Sequence, residues 1–288
     1  MISKVLVYPN GSRDIGFSCT RRVIAFLLSH GIQTAAYDPG KVLTTSGSQV
    51  KNADLLPKED FDLAIVLGGD GTMIQCVHYL LGAEVPIIGI NLGTLGYMTE
   101  IESHELESSL SEILAGRFKV EQRMMLEAVI KSDKEPDLEQ HFYAVNDFVI
   151  HRDLSDGLLT VQSYIDREFL AEFRADGLIV SSPCGSTAYN FSAGGPILNP
   201  VADNIILTPL ASHAMLDRSV VLRGSDELSF YIGSFTRGDK AAFSADGSQT
   251  VYVGAGTWIY IKKSKYVFQM AKVGKRSFYE IVQKKIRP

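Results

Sequence analysis

The sequence predicts an α/β N-terminal domain with a parallel doubly wound sheet, followed by a β-rich, mostly antiparallel second domain. Three observations carry this expectation. Buried-strand runs alternate with helical periods through the first hundred residues, short strands with tight turns take over from about residue 120, and an amphipathic segment closes the chain. A length of 288 residues suits one large domain or two ordinary ones at roughly 150 residues each. Hydrophobic residues at 45% and charged residues at 21% supply enough apolar material for full cores, which excludes a disordered or collagenous chain.

Val5-Leu6-Val7-Tyr8 is a short apolar run closed by Pro9-Asn10-Gly11. Arg21 to His30 follows with Val23, Ile24, Leu27 and Leu28 at helical spacing, ended by Gly31. Leu63 to Leu67 is apolar on both faces, as a central strand of a parallel sheet must be, and stops at Gly68-Gly69. Thr72 opens a helix with Ile74, Val77 and Leu81 on one face, and Ile87 to Ile90 repeats the buried-strand pattern. In the second half, strands are expected at 126–130, 142–150, 158–165 and 169–174, with turn pairs Asp156-Gly157 and Asp166-Arg167 between them. Further strands are expected at 220–222, 228–232, 242–245, 251–253 and 258–261. Phe278, Ile281, Val282 and Ile286 form the apolar face of a helix too short to stand alone in water, so it must dock, and docking on the N-terminal domain would make that domain discontinuous.

Composition narrows the function classes. No apolar stretch approaches the ~20 residues of a membrane span, and the N-terminus lacks a secretion pattern, so a soluble cytoplasmic protein with no membrane role is expected. Cys19, Cys76 and Cys184 are odd in number and far apart, which argues for reduced thiols and against a CxxC metal knuckle. The net charge is −5, yet nine Lys or Arg against the single Glu280 lie between Lys262 and Pro288. That basic tail reads as a solvated face, because nucleic-acid binders are usually basic as whole domains. Nucleic acid is not an expected partner.

Gly68-Gly69-Asp70-Gly71-Thr72 lies between a buried strand and a helix, where backbone amides favour anions and where open α/β sheets bind ligands. Glycines let a phosphate approach the backbone, and a lone carboxylate among them needs a hydroxyl or a metal to serve; the simpler alternative is Asp70 as a helix cap. No Gly-Lys-Ser/Thr follows, so this is not a P-loop. A second glycine loop, Asn91 to Tyr97, follows the next strand. A third segment, Asp176 to Pro196, reads as strand, turn and short helix, with hydroxyl and small residues at the helix start.

Gly68-Gly69-Asp70-Gly71-Thr72, Asn146-Asp147 and Gly185-Ser186-Thr187-Ala188-Tyr189 with Gly194-Gly195-Pro196, in this order, resemble the NAD kinase family over essentially the whole chain. The resemblance implies ATP-dependent phosphorylation of the 2′-hydroxyl of the adenosine ribose of NAD, with Mg²⁺ carried by ATP and no tightly bound protein metal. It implies a general base at Asp70, with Gly71 and Thr72 of the same loop and Tyr97 of the second loop among the substrate-binding residues. Asn146 and Asp147 fall on the adenosine side of NAD, and Thr187, Ala188, Tyr189 and Ser192 around adenine and ribose. Asp176, with Arg174 nearby, falls at the nicotinamide end or a product phosphate, and Asp246 closes the set. The α/β domain would comprise 1–100 plus 270–288 and the NAD-binding domain 101–269, in a homodimer or homotetramer. Cys184 departs from the Thr or Ser usual at its position. A lipid or sugar-phosphate kinase with the same glycine-aspartate loop should expose an apolar pocket and lack Gly-Ser-Thr-Ala-Tyr. An inactive nucleotide-binding regulator should have lost Asp70.

Overall fold

The computed structural model describes residues 2–37, 50–93, 96–132, 135–152, 157–213, 216–235, 240–274 and 276–286. Asp156 of one expected turn, Thr94-Leu95 of the second glycine loop and the side chain of Ile286 lie outside the described residues. The chain divides into two compact units, Met1–Gln122 with Phe268–Pro288, and Arg123–Val267.

The first unit is built on a parallel sheet. Its strands β1 (Lys4–Pro9), β2 (Gln33–Ala36), β3 (Lys51–Asn52), β4 (Leu63–Gly68), β5 (Ile87–Asn91) and β6 (Ile101–Glu102) stand in the order β6-β5-β4-β1-β2-β3. The chain builds outward from β1 through β2 and β3, then returns to place β4 on the other side of β1. The carboxyl ends of β1 and β4 therefore flank the switch point where such sheets open a crevice. All six residues of β4 are buried, as a strand covered on both faces requires. Helices α1 (Ser18–Ser29) and α3 (Leu106–Leu114) cover one face, packing Val23, Ile24, Leu27, Leu106, Leu110 and Ile113 against Val5, Val7, Ile65 and Ile88. Helix α2 (Asp70–Tyr79) begins two residues before the expected Thr72, and it buries Met73, Cys76 and Val77.

The second unit pairs antiparallel sheets around one core. One sheet runs β14 (Val220–Arg223), β13 (Asn204–Leu210), β12 (Gly177–Ser181), β9 (Asp147–Arg152), β16 (Lys240–Ala245), β17 (Gln249–Gly254). The other runs β11 (Glu168–Ala175), β10 (Leu159–Ile165), β15 (Leu228–Phe235), β18 (Thr257–Lys272), with β7 (Lys119–Ser132) beside β18 and β8 (Glu135–Ala144) beside β7. Phe148, Phe173, Phe230 and Phe243 are fully buried between them. The run expected as one strand over 142–150 is two: β8 ends at Ala144, Val145-Asn146 breaks the ladder, and β9 starts at Asp147 in the other sheet. The segment Asp176 to Pro196 is β12, a 3-10 turn over Gly185–Thr187 and the short helix α4 (Tyr189–Ser192). No described helix is long and apolar enough to cross a membrane.

The C-terminal helix α5 (Phe278–Ile286) belongs to the first unit. It opens with a reciprocal cap: the Ser277 N–H donates to the Glu280 carboxylate and the Glu280 N–H to the Ser277 hydroxyl, each at 3.2 Å. Ile281 is 4% exposed, and Phe278 lies 6.2 Å from the Tyr97 ring. Ahead of the helix, Gly274 N–H donates to Glu100 and Arg276 pairs with Glu102 at 3.1 Å. Truncation after Gly274 removes all of these but the Gly274 bond, and burial of side chains such as Ile281 is worth about 1.5–3 kcal/mol each against a total of about 5–15. The truncated chain is expected to lose its cooperative melting transition. A sharp transition within a few degrees of the full chain would show the helix to be an appendage.

Candidate functional site

In the first unit the functional residues gather where strands end. Asp70 is the first residue of α2, behind Gly69, yet its side chain caps nothing in its own helix. The backbone N–H groups of Tyr97 and Met98 donate to its two carboxylate oxygens at 2.8 and 2.9 Å, so Asp70 ties the first glycine loop to the second. Gly96 is required there, because a Cβ would stand 2.0 Å from Asp70 Oδ1. Thr72 is buried and its hydroxyl accepts from the Asn10 side chain at 2.8 Å, which ties α2 to the loop after β1. Gly71 is exposed with open space around its Cα. Tyr97 is half-buried, its hydroxyl pKa raised by burial and by the Asp70 charge, and Lys285 stands 4.6 Å over its ring.

In the second unit a pocket of about 690 Å³ opens beside β9 and β12, and Asn146, Asp147, Asp176, Ala188, Tyr189 and Asp246 line it. The loop Val145-Asn146-Asp147 is held by Asp246, whose carboxylate accepts their three N–H groups at 2.9, 2.8 and 3.2 Å. Gly185 packs so closely that a Cβ would meet the Asn146 carbonyl oxygen at 2.2 Å. The Asn146 side-chain carbonyl is buried with no hydrogen-bond partner. Tyr189 is 47% exposed. Asn190 behind it is fully buried and bonded to Ser186, Pro196 and Thr208, which fixes α4.

Three of the sequence-derived residues stand elsewhere. Arg174 is exposed on β11, Thr187 donates its hydroxyl to the Cys184 carbonyl at 3.3 Å, and Ser192 is exposed at the end of α4; none lines the pocket. Asp176 pairs instead with Arg152, Nε to Oδ1 at 2.6 Å. Arg152 and His151, on β9, are pocket residues that the sequence reading missed. Only the pairing of β9 with β12, His151 opposite Gly177, brings them beside Asp176, and nothing local in the sequence announces it.

Burial, with the neighbouring Asp246 charge second, pushes the Asp147 carboxyl up to about 7. The folded protein then holds a proton between about pH 4 and pH 7 that the unfolded chain releases, so this group's contribution to stability falls as pH rises through that window. In Asp147→Asn the contribution is absent. Its unfolding free energy relative to the parent is expected to grow between pH 4 and pH 7, by at most about 1.4 kcal/mol per unit, and to level off above. Urea melts at several pH values check this, and a difference independent of pH would refute it.

Residues 19–118 match the ATP-NAD kinase N-terminal domain and residues 145–273 the ATP-NAD kinase C-terminal domain. The NAD kinase of Lachnoclostridium phytofermentans is 33% identical over 286 residues, covering 99% of each chain, and that of Caldanaerobacter subterraneus is 35% identical over 287 residues with the same coverage. Among solved structures, yeast NADH kinase complexed with NADH superposes with a TM-score of 0.85 at 24% identity, covering 98% of this chain and 86% of that one. An NAD kinase from Archaeoglobus fulgidus in complex with ATP gives 0.72 at 23% identity, covering 99% and 98%. These two establish the fold. With both halves of the chain matched and full-length relatives above 30% identity, the chain belongs to the NAD kinase family.

Proposed function

We propose that the protein is an ATP-dependent NAD kinase that phosphorylates the 2′-hydroxyl of the adenosine ribose of NAD, with Asp70 as general base. Asp70 takes the proton from O2′ as that oxygen bonds to the γ-phosphorus; the bond from γ-phosphorus to the β,γ-bridging oxygen breaks, and ADP leaves with the electron pair. A carboxylate has about four acceptor sites, so the two amides on Asp70 orient it and leave capacity for the proton. The domain carrying Gly68–Thr72 handles the phosphoryl donor, and the β-rich domain binds NAD.

The observation that carries this reading is the pocket in which six motif residues meet, three of them aspartates. The unpartnered carbonyl of Asn146 suits an amino or hydroxyl donor of adenosine, Asp147 and Asp176 suit ribose hydroxyls or a carboxamide, and the Tyr189 ring suits a purine face. Such a lining favours a dinucleotide over a lipid, and Asp70 is in place, unlike in an inactive regulator. Among the described residues no group of three or more His, Cys, Asp or Glu side chains is positioned to hold a metal ion. The single carboxylate at the glycine loops, Asp70, fits a Mg²⁺ that arrives on ATP and keeps most of its waters, and that ion would neutralise phosphate charge. The same reading has the enzyme work in the cytoplasm as a homodimer or homotetramer, without nucleic acid.

Incubating the purified protein with ATP, Mg²⁺ and NAD, with NADP read by an NADP-specific dehydrogenase, tests the activity. Asp70→Asn is expected to lower kcat by about 10²-fold or more while NAD affinity stays within a few-fold; a kcat within about threefold of the parent excludes Asp70 as the base. Tyr189→Ala is expected to weaken NAD binding by about five- to 150-fold with the KM for ATP unchanged, the scale of a lost aromatic–base stack. Equal losses for both substrates would remove Tyr189 from the NAD site.

A further inference from the structure

We infer that Arg13, on the loop after β1, binds the phosphoanhydride chain of the phosphoryl donor across the carboxyl end of β4; the inference rests on the kinase reading and adds a residue to it. In the sheet, β4 stands between β1 and β5. The loops leaving both neighbours bond onto its last residues, Asn10 N–H to the Leu67 carbonyl at 2.8 Å and Leu92 N–H to the Gly68 carbonyl at 3.1 Å. Arg13 belongs to the first of these loops, and its Nη1 lies 2.6 Å from where a Cβ on Gly93, in the second, would stand. The guanidinium therefore reaches over the end of the strand that runs into Gly69 and Asp70. A side chain at position 93 would have to share this space with the guanidinium or displace it.

Arg13 also lines a pocket of about 480 Å³ with Arg22, Ser18, Asn91, Asp14 and Glu102 among its neighbours. The other charges there are committed. Arg22 pairs with Glu107 at 2.7 Å, and Glu102 with Arg276. Asp14 accepts from Cys19 N–H, Thr20 N–H and the Thr20 hydroxyl at the start of α1. The Arg13 guanidinium makes no hydrogen bond or ion pair among the described residues, although the backbone beneath it is fixed by Arg13 N–H and Asp14 N–H donating to the Asn10 carbonyl. A planar fork of five donors, unpaired at a crevice that it lines together with Gly93, is suited to bridging phosphate oxygens. It also offsets the repulsion that the Asp70 carboxylate exerts on an incoming triphosphate.

Wild type, Arg13→Ala and Arg13→Lys are to be compared by calorimetric titration with MgATP alone and by steady-state kinetics with both substrates. Arg13→Ala is expected to weaken MgATP binding and raise the KM for ATP about ten- to hundredfold, with the KM for NAD within twofold and the melting temperature unchanged, because the side chain is exposed. Arg13→Lys, which keeps the charge and loses the fork, is expected in between. A KM for ATP within twofold of wild type in the folded Ala variant, or equal rises for ATP and NAD, overturns the assignment. If wild type makes no NADP, the kinase reading falls, while the MgATP titration still decides Arg13.

Discussion

Where a strand ends, a helix begins or a loop turns inward, backbone N–H groups lack ladder partners, and leaving them unpaired away from water costs as much as a lost hydrogen bond. This protein meets that requirement with carboxylates. Asp14 accepts the first amides of α1, Asp70 accepts Tyr97 and Met98 N–H, and Asp246 accepts three successive N–H groups from Val145 to Asp147. Each acid fixes a loop that lines a candidate binding surface, and each is far in sequence from some or all of its partners or displaced from the regular cap position. The geometry of the glycine loops follows from these ties, because glycine itself imposes none.

The same constraint explains what could be read from the sequence. Periodicity registers burial, so the doubly covered β4, the helical faces of α1 and α5 and the change to antiparallel strands were legible. Asp70 was legible as a chemical anomaly among glycines. Its partners were not, since they lie 27 and 28 residues downstream, and the second glycine loop, legible as a loop, carries no sign of a tie to Asp70. The break between β8 and β9 was hidden for a similar reason: Phe142 to Ile150 is apolar enough to read as one strand, and the kink is imposed by Asp246, about a hundred residues later. Arg174 lies two residues before Asp176 and was the natural neighbour by sequence, but alternation along β11 sends it to the exposed face, and β9, the antiparallel partner of β12 in the other sheet, supplies Arg152.

The pocket of the second unit poses an electrostatic question, because three aspartates line a site proposed for a ligand with a diphosphate. Counting them as three full negative charges overstates the repulsion. Asp246 is solvated by three amide dipoles, Asp176 is paired with Arg152, and burial beside Asp246 leaves Asp147 close to half-protonated near neutral pH. A protonated carboxyl donates as well as accepts, whereas Asn146 next to it offers an unpartnered acceptor. The lining thus presents both hydrogen-bond senses to a ribose or a purine edge at low net charge.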